Sequence, residues 1–436
     1  PRFRRTMTTM TNGPSDVALA DLNARLGAPV ARSGVGTDAV DGVVPGLVVE
    51  PETPANVSRT LAWATESGRT VMVRGGGTKI DWGPTPTSID VLLSMRRMSG
   101  VEAHRHGDLT ATVRAGTTLS AVNAALAEHR QWLALDPPDP DTATIGGIVA
   151  TNDSGPRRHW HGAPRDLIIG MTLARADGVM AHSGGIVVKN VAGYDLARLL
   201  TGSFGSLGVV VNATFKLVPR ADASRTVAVT LTGPEQCGPY VSALLAQASM
   251  PTALELAAPP AGMLVRFESV ETVAEQQASQ AATLAEQQGG RAVVLTGDDE
   301  IQAWHAHDKR VFGTGQDGTI LKIVTVPTEV SSTVVRIGEA AQTNHLDYAV
   351  TGRAGLGVLN VLVQGATEAR ASFVTVLRDR FLPGEGSVVI RRADAELKSL
   401  VGVWGPIGDG LPIMREVKRR FDPTGTLNPG RGPGGL

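Results

Sequence analysis

The strongest constraint on the fold is an order of short elements that occurs twice. Residues 227–231 read as a strand, 241–248 as a helix, 253–256 and 263–267 as strands, 272–288 as a helix and 292–295 as a strand. The order returns as strand 320–325, helix 330–343, strands 346–350 and 358–363, helix 367–381 and strand 387–390. Each copy is a β-α-β-β-α-β unit, the split ferredoxin-like motif. Two such units can share one continuous antiparallel sheet with helices on one face. This predicts a second domain over 223–395.

Upstream, strands and helices alternate with glycine-rich connections, which predicts an α+β domain over 44–222. Residues 55–67 read as a helix opened by Pro51 and Pro54 and closed by Gly68. Residues 71–73 are a short apolar run, a buried strand that breaks into Gly75-Gly76-Gly77. Leu109, Ala111 and Val113 alternate with Thr110, Thr112 and Arg114, a half-buried strand, and Thr118 can cap a helix running to about 129. Segments 167–174 and 179–182 flank Asp177-Gly178, a two-residue hairpin signal. A longer alternating strand runs from Val209 to Leu217. Residues 396–436 hold a last helix, 413–421, and a Pro/Gly-rich tail. Residues 1–43 are a tail and lead-in, the first dozen or so read as disordered. The basic residues 1–5 precede no apolar stretch of signal-peptide type, so the chain is expected to be intracellular, with Met7 and Met10 as candidate starts.

Composition removes several functions. Lys+Arg 41 against Asp+Glu 42 leaves a net charge of -1, which gives nucleic acid nothing to bind through charge. No apolar run approaches the roughly 18 residues that span a bilayer. Cys237 is the single cysteine, so neither an internal disulfide nor an iron–sulfur cluster, which needs about four thiolates, can form within the chain.

Three glycine-rich segments can carry chemistry. In Val73-Arg74-Gly75-Gly76-Gly77-Thr78, successive backbone N–H groups can form an anion nest, with Arg74 adding charge and Thr78 a hydroxyl. It lacks the Gly-Lys-Ser/Thr ending of a Walker loop, and a flexible turn is the bland alternative. The second follows Asp136-Pro137-Pro138 and runs from Ala143 through Thr144, Ile145, Gly146, Gly147, Ala150, Asn152 and Ser154 to Gly155. Its small residues can lie flat against a large planar ligand. The third, Gly184 to Leu196, includes Lys189-Asn190-Val191-Ala192-Gly193-Tyr194-Asp195 and precedes Gly202-Ser203-Phe204-Gly205-Ser206-Leu207-Gly208.

The order of these segments resembles the PCMH-type FAD-binding domain of the vanillyl-alcohol oxidase superfamily, and within it the FAD-binding subunits of bacterial glycolate oxidase. The likeness covers about 51–219 and resumes at Phe421-Asp422-Pro423-Thr424-Gly425-Thr426-Leu427-Asn428-Pro429-Gly430. The duplicated region would be the cap domain. The resemblance implies that Arg74, Gly75, Gly76, Gly77 and Thr78 hold the FAD pyrophosphate. Thr144, Ile145, Gly146, Gly147, Ala150, Asn152, Ser154 and Gly155 would line the flavin and its ribityl chain, and Val209 would contact the adenine side through its backbone. Covalent members often carry a His in or beside the first loop. Thr78-Lys79 stands there and Cys237 lies in the cap, so FAD is expected to be non-covalent.

The implied activity is oxidation of a 2-hydroxy acid such as glycolate or lactate to the 2-oxo acid, by hydride transfer to flavin N5. The implied setting is a cytoplasmic complex with a second FAD subunit and an iron–sulfur subunit, peripheral to the inner membrane through its partners. A self-sufficient oxidase of another alcohol or sugar, and a non-catalytic structural subunit, are the alternatives. The family's hydroxy-acid dehydrogenases commonly carry Gly-His-x-Gly-Asp-Gly-Asn-x-His in the cap as part of a divalent-metal site. In Gly352-Arg353-Ala354-Gly355-Leu356-Gly357-Val358-Leu359-Asn360, Arg353 replaces the first His and Asn360 the last, so no metal site is expected. Arg353 can pair with a carboxylate or stand as a solvated surface residue.

Tyr194 and Lys189 are the candidates for groups beside the isoalloxazine. The alternative has Tyr194 packing and Lys189 contacting a phosphate or carbonyl. Of the His-x-His pairs 104/106, 159/161 and 305/307, only His159 and His161 lie between flavin segments; surface or loop histidines are the commoner explanation. Gly34-Val35-Gly36 is rejected as a dinucleotide fingerprint because no strand precedes it.

Overall fold

A computed structural model describes residues 14–187, 193–247, 249–313, 317–381 and 385–436. The first dozen residues and Lys189 lie outside the described residues.

The duplicated order folds as expected into one eight-stranded, wholly antiparallel sheet. Its strands are β1 (Ala223–Thr230), β2 (Ala253–Ala258), β3 (Gly262–Ser269), β4 (Arg291–Leu295), β5 (Thr319–Val324), β6 (Asp347–Arg353), β7 (Val358–Gln364) and β8 (Ser387–Arg392). The spatial order is β4-β1-β3-β2-β6-β7-β5-β8, so each half repeats the other in mirror order and the two join where β2 pairs with β6. Helices Cys237–Ala246, Glu271–Gln287, Val330–Thr343 and Thr367–Arg378 cover one face, over a core that includes Leu254, Val265, Leu321 and Phe373.

Helix Gly297–Phe312, between the halves, was not expected. It lies against the opposite face, where its Val311 packs with Ile320 and Leu362. Period-two alternation therefore sends every second residue of β5 to a different surface. Leu321 and Ile323 go to the helical core, while Ile320 and Lys322 go to the other side.

Besides a two-stranded ladder of Gln131–Trp132 with Val218–Pro219, the described residues before the cap form two larger sheets. One is Ala31–Ser33, Leu47–Val49, Val91–Ser94 and Val71–Arg74, the last three parallel. The other is antiparallel and centres on Val209–Lys216. The lead-in is not loose, since helix Pro14–Leu26 buries Leu22 and Leu26 in the shared core. A strand does precede Gly34, but a 3-10 turn, Gly36–Asp38, follows it instead of a helix. The hairpin also differs from expectation. Arg175 and Val179 pair, leaving three residues in the loop with Gly178 at φ +80°, the geometry of a type I turn with a bulge.

The C-terminal segment returns as the motif order implied. Leu427 bridges Val71 in parallel, Val71 N–H donates to Thr426 O at 2.7 Å, and Asn428 N–H donates to Val71 O at 2.9 Å. Asp422 fixes this return by accepting from Thr426 N at 2.9 Å and Leu427 N at 2.7 Å.

Candidate functional site

The first two glycine segments touch each other, and only glycine permits it. A Cβ on Gly75 would stand 2.1 Å from Thr144 Oγ1, and one on Gly76 1.8 Å from Thr142 O. Gly77 has φ +86°, a left-handed conformation that side chains resist. Gly76 N–H donates to Thr144 Oγ1 at 3.3 Å, whereas the N–H groups of Gly77 and Thr78 meet no acceptor among the described residues. Two adjoining hollows open along this contact. Arg74 to Thr78 wall the first; Gly146, Gly205 and Val209 wall the second; Thr144, Gly147, Ala150, Phe204 and Asn428 wall both. Asn428 joins all three parts, since its Oδ1 accepts from Val73 N at 3.2 Å and its Nδ2 donates to Phe204 O at 2.6 Å. Free N–H groups, a left-handed glycine and close backbone packing together make an anion nest continuous with a flat slot.

The second segment continues into helix Ile145–Thr151, ended by Asn152 in the left-handed region at φ +50°. Its far end meets the cap. A Cβ on Gly155 would lie 1.7 Å from Asp136 O. Arg353, 3% exposed, donates from Nε to Gly155 O at 3.1 Å and from Nη2 to Ser154 O, with Glu255 Oε1 at 3.6 Å. The expectation of a solvated surface residue is therefore wrong. A second tie is Arg157, whose guanidinium pairs with Glu268 at 3.1 and 2.8 Å while its N–H donates to Asp136 Oδ2 at 2.8 Å. Burial pushes the Asp136 carboxyl up to about 7, with Arg157 opposing. For Glu268, burial acts upward but the Arg157 pair and Arg266 prevail, and its carboxyl falls to about 2.

The cap's face opposite its helical core is polar by strand register. Thr226, Arg266, Glu255, Arg353, Asn360 and Lys322 come from successive strands, and all share the side opposite the helical core. Arg391 joins them from β8 and reaches Asp153 Oδ1 at 3.4 Å, while Lys79 reaches Asp153 Oδ2 at 3.3 Å. Asp153 is 1% exposed; burial works to raise its carboxyl, but Lys79, Arg391 and Arg353 outweigh it and hold it low. Several buried polar atoms at this junction have no hydrogen-bond partner: both Asp153 oxygens, His159 Nδ1, Glu255 Oε1, Asn360 Oδ1 and Arg391 Nε. Unfilled polar capacity in a buried seam is costly unless a ligand or water uses it.

Of the expected residues, Arg74 to Thr78, Thr144, Gly146, Gly147, Ala150 and Val209 gather around one slot; Ile145 is buried in the core instead, and Asn152, Ser154 and Gly155 lie beyond the slot walls, on the segment that runs on to the cap. Arg74 is already engaged, donating to Asp38 at 3.2 Å. Tyr194 is 91% exposed, so its ring neither packs nor walls the slot. His159 and His161 sit on the short helix Arg158–His161, where residues two apart diverge, and His307 pairs with Glu255 at 3.1 Å. Among the described residues, no cluster of three or more His, Cys, Asp or Glu side chains could hold a metal ion. Sequence reading missed Lys79, Asp153, Lys322 and Arg391. For Lys322 the signal was a lone charge inside an apolar strand, Thr319-Ile320-Leu321-Lys322-Ile323-Val324; Lys79 and Asp153 lie in loops and Arg391 beside Arg392, with no such mark.

Residues 45–184 match the family model "FAD binding domain", and 407–431 match "FAD linked oxidases, C-terminal domain". Residues 45–184 thus carry an FAD-binding domain, and residues 407–431 the C-terminal segment of the FAD-linked oxidases. It is 28% identical to a glycolate oxidase subunit, GlcD, of Bacillus subtilis, covering 89% of each chain. It is 27% identical to a D-lactate dehydrogenase of Archaeoglobus fulgidus, covering 88% of this chain and 90% of the relative. A shorter match, 39% over 155 residues, is to glycolate oxidase subunit GlcE of Escherichia coli, covering 35% of this chain and 44% of that one. The fold is shared with p-cresol methylhydroxylase, TM-score 0.74 at 15% identity with 97% of each chain covered. It is shared too with glucooligosaccharide oxidase from Acremonium strictum, whose FAD is 6-S-cysteinyl and 8α-N1-histidyl; the TM-score is 0.66 at 15% identity, over 93% and 97% of the chains.

The residues fit FAD. The open N–H groups of Gly77 and Thr78 suit a pyrophosphate, and the glycine contacts at Gly75, Gly76 and Gly146 leave the slot free of side chains.

Proposed function

We propose that this FAD-linked oxidoreductase oxidises a 2-hydroxy acid to the 2-oxo acid, with FAD held non-covalently between Gly75–Thr78, Thr144–Gly155 and Val209. FAD, when bound, supplies the acceptor for the two electrons leaving the α-carbon. The observation that carries the reading is the cap face that ends at this slot. Arg353 and Arg391 bring positive charge to a buried seam, with Asp153 and Glu255 as the anions beside them. A carboxylate entering there replaces lost hydration with fixed cations. The carboxyl end of the acid binds on Arg391 and its neighbours, which holds the α-carbon toward the flavin slot. The junction cleft beside it measures about 880 Å³, within the range of small-molecule sites, and Trp132, Asp136, Arg157, Glu268 and Asp308 line it.

Non-covalent binding is supported by the slot walls, which carry neither His nor Cys among the described residues, and by Cys237, buried under the helical face of the cap. The GlcE likeness supports a complex with a second FAD subunit. With one cysteine, onward electron transfer through a cluster would need an iron–sulfur partner chain. A cytoplasmic complex held at the inner membrane by its partners accords with the fact that no helix among the described residues is long and apolar enough to cross a membrane.

Anaerobic mixing of the FAD-loaded protein with glycolate or D-lactate tests the reading. The flavin absorption band is expected to bleach within seconds, and acid precipitation should leave the pellet colourless. A band that dithionite bleaches but no 2-hydroxy acid does would refute the assignment.

A further inference from the structure

Lys322 is the charged group at the junction that the site leaves unused. It sits mid-way along β5, in register with Asn360 of β7 and Val389 of β8, and projects with Ile320 to the face of the sheet opposite the helical core. Its ammonium has no hydrogen-bond or ion-pair partner among the described residues. Beside it, Asn360 is 2% exposed and its Oδ1 is likewise unpartnered. The charged groups that bear most on Lys322 are Arg391 from β8, Arg158 from the FAD-binding side, Arg353 from β6 and the anion Asp153. Arg391 and Arg353 are themselves engaged, with Asp153 and with the Ser154 and Gly155 carbonyls.

We propose that Lys322 is the proton acceptor of the reaction, taking the hydroxyl proton of the 2-hydroxy acid, an inference that rests on the function proposed above. The substrate O–H bond breaks and its proton goes to Nζ as a lone pair on nitrogen forms the N–H bond. The Cα–H bond breaks with both electrons leaving as hydride to the bound FAD, and the carbonyl forms. The acid loses two electrons and the flavin gains two.

An amine serves as a base only when neutral. Burial, then the cations Arg391, Arg158 and Arg353, push Lys322 down to about 7, with Asp153 opposing them. The same cations anchor the incoming carboxylate. Its negative charge then offsets theirs and raises the proton affinity of Nζ as the reaction needs. Asn360 Oδ1 stands ready to accept from the ammonium once it forms.

Two measurements test this. Competitive labelling with trace acetic anhydride, read by peptide mass spectrometry on the full chain without substrate, gives the ionisation midpoint of Lys322. A midpoint near 7 supports the proposal, and one near 10 overturns it. Anaerobic flavin reduction by D-lactate or glycolate is then compared in Lys322→Met and Lys322→Arg, each checked for full flavin content. Both should lose about 100-fold or more in limiting rate with little change in the half-saturating substrate concentration, because arginine does not give up its proton. The tenfold fall per pH unit below about 7 should vanish in both. Rescue by Lys322→Arg, or a methionine variant reduced at the parental rate, overturns the proposal while leaving the functional reading intact. A parent flavin that no 2-hydroxy acid reduces overturns both.

Discussion

Replacing Arg353 by Ala should release the cap from the flavin segment. The side chain is 3% exposed and serves the Ser154 and Gly155 carbonyls while standing 3.6 Å from Glu255 Oε1. Truncation strips donors from two carbonyls and leaves Glu255, 2% exposed, with His307 alone. Removing one partner of a buried charged network costs about 3–5 kcal/mol. For a domain of this size that is a melting-point drop of roughly 6–20 °C. Because the freed backbone continues the segment that walls the slot at Thr144, Gly147 and Ala150, FAD affinity should also fall, by about tenfold for each 1.4 kcal/mol transmitted. Thermal unfolding followed by fluorescence, with and without FAD, and a titration of apoprotein with FAD measure the two effects. Lysine at 353 should recover only part, since one ammonium cannot reproduce the two-pronged contact. If Arg353→Ala melts within about 2 °C of the parent and binds FAD equally well, the clamp assigned to Arg353 is wrong.

Other substitutions probe the site separately. The folded Asp136 carboxyl, at about 7 against an ordinary 3.8, keeps a proton that the unfolded chain releases. Stability should therefore decline as pH rises from about 4 to about 7 and level off above, and Asp136→Asn should flatten that decline; denaturation midpoints at pH 5 and 8 decide it. Gly76→Ala drives a methyl to 1.8 Å from Thr142 O and should lower FAD retention more than tenfold, whereas Gly36→Ala, with open space around it, should be silent in the flavin-to-protein absorbance ratio. Asp153→Asn removes the shared anion of Lys79 and Arg391 and should destabilise by about 3–5 kcal/mol in urea titrations; an unchanged midpoint would contradict the pairing.

The duplicated sheet was legible because its signals are local. Period-two alternation and short apolar runs specify which strand faces pack, and the repeat supplies its own cross-check. The glycine loops were legible for a similar reason, since runs such as Gly75-Gly76-Gly77 have few structural uses. Helix Gly297–Phe312 was missed because its acidic first turn, Asp298-Asp299-Glu300, reads as a connection, although Trp304, His307 and Val311 do share one face. Arg353 could not be placed from sequence. Its burial depends on a loop 199 residues away in the chain, and no local pattern records that meeting. Lys322 was overlooked because one charge in an apolar strand resembles an edge residue until its neighbours across the sheet are known.

The mirror order of the cap sheet has an electrical consequence. Its halves match in backbone and differ in sign on the face opposite the helices: β1 to β4 bring Glu255 and Glu268 with Arg266, whereas β5 to β8 bring Arg353 and Arg391. The join between β2 and β6 is thus a boundary between an acidic bank and a basic one. A small anion crossing it experiences a lateral field and turns its charged end toward the second bank before contact is made. Duplication supplied a symmetric platform, and the divergence of a few inward positions made it a compass.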